Sequence, residues 1–254
     1  LRYGERVSWI RLAGLVLVLL GTSLVLLAGR VLLVFAPGVR PRFRRRVFQA
    51  ASRAVLSLMR VTVRVSGPIP SPPFLLVANH LGYLDVPVLA HLLPCVFVSK
   101  AEIRRWPVMG SICRDLGTVF IEREVLRDIP RALAAMEEAF TQGQGIIFFP
   151  EGTSSQGAGV LPFRTPLLAL AARLGHPVHY AALSYRTGEG DPPAGQAVCW
   201  WGGTPFVPHL LKLLKLNRIE ATVDFGPEPI AEADRKRLAE RLRAGILERF
   251  KPVE

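Results

Sequence analysis

Phe74-Leu75-Leu76-Val77-Ala78 runs straight into Asn79-His80-Leu81-Gly82-Tyr83-Leu84-Asp85. Five consecutive apolar residues are too few for a helix and read as a buried strand, and the polar residues begin where that strand should end. The pattern returns twice. Residues 118–121 are followed by Glu122-Arg123, and residues 145–149 by Pro150-Glu151-Gly152-Thr153-Ser154-Ser155. Further strands are expected at 95–99, 178–184, 197–201 and 219–225. Helical patterns lie near 86–93, 104–116, 127–142, 164–174, 207–216 and 231–250. This alternation predicts an α/β domain with a mostly parallel central sheet flanked by helices. Ligands of such sheets bind beyond the carboxyl ends of the strands, so the three polar clusters are expected along one edge.

The 254 residues are 50% hydrophobic and 20% charged, which suits one domain with appendages and excludes a disordered chain. Cys95, Cys113 and Cys199 are widely spaced without a Cys-x-x-Cys pair, so neither a disulfide framework nor a zinc cluster is expected. No motif points to a metal site. The net charge of +12 raises the question of nucleic acid, and its distribution answers it. Residues 1–64 carry 12 Lys and Arg against Glu5 alone; the remainder carries 20 against 19 acids. A basic first quarter without aromatic stacking residues, joined to a long apolar segment, is not a nucleic-acid arm.

That apolar segment, residues 12–29, holds no charge. As a helix it would be about 27 Å long, close to the ~30 Å hydrocarbon core of a bilayer. It is too long for a signal peptide's apolar core. Apolar residues resume at 31–36 after Arg30, whose side chain can snorkel to head groups. Arg2, Arg6 and Arg11 precede the segment; Arg30, Arg40, Arg42, Arg44, Arg45 and Arg46 follow it. The heavier basic flank predicts a membrane protein, in a bacterial inner membrane, with its C-terminal domain on the cytoplasmic side. Residues 43–65 read as an amphipathic helix, lying either on an anionic leaflet or packed on the domain. The prolines of 68–73 read as a stiff linker between an anchoring segment with its basic helix, 1–67, and the domain, 68–254.

On a continuous helix His80 and Asp85 would point about 140° apart. A turn entering a helix would instead bring the carboxylate to one ring nitrogen, leaving the other as a general base. Alternatively, Asp85 caps the helix that begins at Val86-Pro87. The Glu151-Gly152-Thr153 turn offers amides to an oxyanion or phosphate, and Arg123 a bidentate partner for phosphate. The residues 152–157 do not form a Gly-x-Ser-x-Gly elbow, so a serine hydrolase is not indicated.

These blocks, taken in order, resemble the glycerolipid acyltransferase family that includes bacterial 1-acylglycerol-3-phosphate acyltransferases. Asn79, His80 and Asp85 match its Asn-His-x4-Asp block. Gly117 and Phe120-Ile121-Glu122-Arg123 match the second block, and Phe149 through Thr153 the Phe-Pro-Glu-Gly-Thr block. Lys100, Glu102, Pro107 and Gly110 fit a recurring Lys-x-Glu…Pro-x-x-Gly pattern. The resemblance covers roughly residues 74–185. It implies a membrane-bound acyltransferase domain in which His80, oriented by Asp85, deprotonates the hydroxyl of a lysolipid. Arg123 and Lys100 would hold the acceptor's phosphate, and Asn79, Glu151, Gly152 and Thr153 would shape its site. The donor would be acyl-acyl carrier protein or acyl-coenzyme A, with no cofactor and no nucleic acid.

Three positions depart from the family pattern. Gly82 stands where Ser is common, Ser154 where Arg is common, and Val178-His179-Tyr180-Ala181 lacks the fourth block's proline. The loss at 154 leaves two acceptors open, lysophosphatidate giving phosphatidate, or a lyso-ornithine lipid. A non-catalytic lipid-binding protein on the same fold is the remaining alternative.

Overall fold

The computed structural model of the chain describes residues 3–122 and 125–253. Seven strands form one sheet. They are β1 (Val61–Ser66), β2 (Phe74–Ala78), β3 (Cys95–Lys100), β4 (Val119–Ile121), β5 (Gly145–Phe148), β6 (Val178–Thr187) and β7 (Ile219–Phe225). Their order across the sheet is β1-β7-β6-β2-β5-β3-β4. All neighbours are parallel except β6 and β7. The fold is thus α/β with a mostly parallel sheet, as the alternating pattern predicts.

Every residue of β2 is buried. Phe74, Leu76 and Ala78 enter one apolar layer and Leu75 and Val77 the other, as the two-residue period of a strand requires. That is why its sequence shows no polar alternation. The first layer is closed by α2 (Arg40–Leu58), α3 (Asp85–Leu92) and α8 (Phe206–Leu213), the second by α5 (Ile129–Thr141), α6 (Ala169–Leu174) and α9 (Arg235–Leu247).

Before the sheet stands α1 (Tyr3–Leu32), one continuous helix whose residues Ser8–Leu32 are long and apolar enough to cross a membrane. One stripe of it packs on the domain. Leu15 joins Leu56 and Met59 in the first layer, and Leu26 meets Ile112 and Leu116 of α4 (Met109–Asp115) and its end. Arg11, buried on that stripe, donates to the carbonyls of Leu214 and Leu216 at 2.8 and 2.7 Å, just past α8. The opposite stripe leaves Leu17, Leu24, Leu27 and Val31 exposed.

Three elements differ from the sequence reading. The stretch 43–65 is not one helix: α2 ends at Leu58, Arg60 turns the chain at φ 53°, and Val61–Ser66 pairs with β7. The sheet therefore begins ahead of the 68–73 proline run. The strand expected at 197–201 is instead the end of the short helix α7 (Ala194–Ala197) and an irregular loop. Its apolar residues Val198 and Cys199 are buried among other elements, so their character reflects core contact and not a pleat. The N-terminal part of the helix expected at 104–116 is a 3-10 turn, Ala101–Arg105, followed by Trp106-Pro107, where proline stops propagation.

Candidate active site

Asn79 through Asp85 leave the carboxyl end of β2, and Phe149 through Ser155 leave that of its neighbour β5. Adjacency in the sheet, invisible in the sequence order, sets the two blocks side by side. His80 Nδ1 lies 2.7 Å from Asp85 Oδ2. That same oxygen accepts from the backbone N–H of Leu81 at 2.7 Å and of Gly82 at 3.0 Å, while Oδ1 accepts from the Tyr185 hydroxyl at 2.7 Å. All four donors lie behind Asp85 or across from it, so its carboxylate is not a cap for α3. An ionised carboxylate only accepts, which places the imidazole proton on Nδ1 and leaves the Nε2 lone pair for a substrate proton. The Asp85 side chain is fully buried; that of His80 is 19% exposed.

Phe149 stacks on the His80 ring, with centroids 4.1 Å apart and planes within 11°. This fixes the ring's face and leaves its edge to the opening. Glu151 holds the backbone: Oε1 accepts from the His80 N–H at 2.9 Å and Oε2 from Leu161 N–H at 3.1 Å. Burial pushes the Glu151 carboxyl up to about 7, against the pull of those two amides. Ser155 N–H returns a bond to the His80 carbonyl at 2.9 Å. The two loops are thus laced together at the base itself.

Asn79 is buried, and both ends of its amide pair with Leu183 of β6, at 2.9 and 2.7 Å. It joins two strands and does not face the open edge. Gly152 turns at φ 73°, a left-handed conformation that glycine adopts without cost, and its N–H donates to Phe149. Among the described residues, the amides of Thr153 and Ser154 have no protein acceptor. The Ser154 hydroxyl donates to the Trp200 carbonyl. Trp200 N–H in turn donates to Leu81 at 2.8 Å, and a Cβ on Gly82 would lie 3.0 Å from that nitrogen. Glycine at 82 therefore lets the 197–201 loop close over the base-bearing turn.

Lys100 ends β3, exposed, with its Nζ 3.9 Å from Glu102. Arg123 lies outside the described residues. β4, which ends at Ile121, is three places from β2, roughly 14 Å at the usual strand spacing. Two residues of the site were not legible in advance. Tyr185 stands 100 positions from Asp85, and no spacing rule links them. Arg164, read as the start of a helix, lies against Gly152. His209 has both nitrogens engaged, by the Tyr83 hydroxyl and the Cys199 carbonyl, and is structural. A cavity of about 500 Å³ beside Arg42, Arg44 and Arg45 sits at the opposite ends of β3 and β5 and is not this site.

A family profile described as Acyltransferase matches residues 60–184. The lyso-ornithine lipid O-acyltransferase of Rhizobium meliloti is 33% identical over 87% of this chain and 78% of its own. The 1-acyl-sn-glycerol-3-phosphate acyltransferase of Neisseria gonorrhoeae is 32% identical over 73% of this chain and 72% of its own. The crystal structure of the 1-acyl-sn-glycerophosphate acyltransferase PlsC from Thermotoga maritima superposes with a TM-score of 0.59 at 20% identity, covering 90% of this chain and 95% of that one; it speaks to the fold. With an identity above 30% extending along most of both sequences, the chain belongs to the acyltransferase family and is an acyltransferase.

Proposed function

We propose that this enzyme transfers an acyl chain from acyl-acyl carrier protein or acyl-coenzyme A to the free hydroxyl of a lysolipid, with His80 as general base. The observation that carries the reading is the 2.7 Å contact between His80 and Asp85 at the carboxyl edge of the sheet. His80 Nε2 takes the hydroxyl proton as the oxygen attacks the thioester carbonyl. The resulting imidazolium is stabilised by Asp85 and returns that proton to the departing thiolate, so ester and thiol form without an acyl-enzyme. The amides of Thr153 and Ser154 are candidates to receive the tetrahedral oxyanion.

For the acceptor, 1-acylglycerol-3-phosphate giving phosphatidate is the first reading, supported by the motif blocks and the Neisseria relative. Lyso-ornithine lipid is the second. It is favoured by the Rhizobium relative's longer match and by Ser154, whose hydroxyl is held by Trp200 and offers no positive charge. The exposed stripe of α1 supports association with a membrane, and the arginines that follow it support a domain on the cytoplasmic face of a bacterial inner membrane. An acidic carrier protein would be steered by the same arginines.

The test is transfer from one labelled acyl donor to each lysolipid in turn, with free thiol measured in parallel. His80→Ala is expected to abolish both ester and thiol while the protein stays folded and membrane-bound. Undiminished turnover in that variant refutes the mechanism. Binding of a lysolipid with no thiol released by the wild type would mark a non-catalytic protein.

A further inference from the structure

We infer that Arg164 grips the oxyanion of the acceptor's head group, an assignment that rests on the lysolipid reading above. Its backbone N–H donates to the Pro150 carbonyl at 2.7 Å, which ties residue 164 to the start of the Glu151 turn. Its side chain then lies across Gly152: a Cβ built there would sit 2.8 Å from Nε and 3.2 Å from Cζ of the guanidinium. Glycine at 152 leaves the room in which the guanidinium rests. The neighbouring Glu151 holds the His80 amide, and Ser155 holds the His80 carbonyl. The cation and the base are therefore both tied to the Glu151 turn.

The charge at Arg164 has no internal partner among the described residues. Among the described residues its side chain meets neither a carboxylate nor a carbonyl, and it is exposed. Nearby Arg243 contrasts with it, donating to the carbonyls of Val160 and Leu161. Both carboxylate oxygens of Glu151 are taken by the His80 and Leu161 amides. Asn79 is already engaged with Leu183, Asp85 with four donors and Ser154 with Trp200. A guanidinium laid over Gly152, in the turn that holds the general base, is suited to a planar or tetrahedral oxyanion, which it binds through paired N–H donors. A phosphomonoester and a head-group carboxylate share that chemistry.

Steady-state kinetics of the full-length protein test the assignment with Arg164→Gln and Arg164→Lys. A long-chain acyl-coenzyme A is the donor. The acceptor is 1-acylglycerol-3-phosphate in one arm and lyso-ornithine lipid in the other. Arg164→Gln is expected to raise the acceptor KM about 10- to 100-fold in the arm whose head group is held, as loss of a charge-assisted contact does. The donor KM and thermal midpoint should stay at wild-type values, and Arg164→Lys should recover part of the loss. The arm that responds identifies phosphate or carboxylate as the ligand. An acceptor KM within twofold of wild type in both arms, or a parallel rise in the donor KM, overturns the assignment alone. A wild-type enzyme that acylates neither lysolipid removes the functional reading and this inference with it.

Discussion

His80 and Asp85 meet at 2.7 Å because the chain turns at Leu81-Gly82 before α3 begins, and both turn amides point at the same carboxylate oxygen that faces the imidazole. The carboxylate is therefore fixed before any substrate arrives, and its charge stabilises the imidazolium formed on proton transfer. Asp85→Asn preserves the shape and keeps an oxygen for the turn and Nδ1–H, but it removes the charge that stabilises the imidazolium and turns an NH2 donor toward the Tyr185 hydroxyl. We expect kcat to fall by about 10²- to 10⁴-fold with the acceptor KM little changed. Kinetics of the variant under saturating donor check this, and a fall below tenfold would place the base elsewhere.

Tyr185 supplies the remaining hydrogen bond to Asp85, from the middle of the core. Burial and the facing carboxylate both push its phenol pKa well up, so it stays a donor throughout the accessible pH range. Tyr185→Phe leaves Oδ1 buried without that donor. The variant should lose about 1–3 kcal/mol of stability and reduce kcat more than KM. Urea unfolding and steady-state kinetics on the same preparation separate the two effects. A variant as stable and as fast as the wild type would show the hydroxyl to be idle.

Glu151 gives the fold a pH dependence whose sign follows from burial. Its carboxyl titrates at about 7 in the folded chain, against an ordinary 4.5, so the folded state binds the proton more tightly than the unfolded state. The stabilisation linked to that proton is complete below about pH 4.5 and is lost as pH rises through about 7. The gap corresponds to about 3 kcal/mol. Glu151→Gln should flatten this part of the profile, making the difference in unfolding free energy between variant and wild type change across pH 4.5–7. Parallel profiles for the two proteins would remove Glu151 as the source.

The central strands were legible because burial on both faces turns them into short apolar runs that end abruptly, as at Ala78-Asn79. The edge was harder. Val61-Thr62-Val63-Arg64-Val65-Ser66 alternates like a half-exposed strand, yet Arg64 follows Arg60 at helical spacing, and its partner β7 is remote in the chain. Local pattern alone could not choose between the two. The His80–Asp85 contact was accessible from a five-residue spacing at a turn entering a helix. Its support was not, since Tyr185 reaches Asp85 only through the placement of β6 beside β2, and Arg164 reaches Gly152 only through the fold-back of residues 156–164. Asn79 shows the converse. Its position in the motif suggested contact with substrate, whereas the sheet uses its amide to join two strands.

The exposed stripe of α1 sets the last expectation. Leu17, Leu24, Leu27 and Val31 recur at helical spacing and are each more than half exposed, while Leu15 and Leu26 on the other side are buried in the domain. A helix whose inner stripe is packed on α2 and α4 does not need its outer stripe for folding, so the two functions of α1 can be separated by mutation. Each outer side chain buried in lipid contributes about 1.5–3 kcal/mol to partitioning, and four together dominate over the arginines of α2 at high salt, where electrostatic attraction is screened. Replacing Leu17, Leu24, Leu27 and Val31 with Gln should release the enzyme from anionic vesicles in 0.5 M salt, as read by flotation. Its thermal midpoint should remain within a few degrees of the wild type. Retention on vesicles under those conditions would assign membrane binding to another surface, and unfolding of the variant would show the outer stripe to be part of the core.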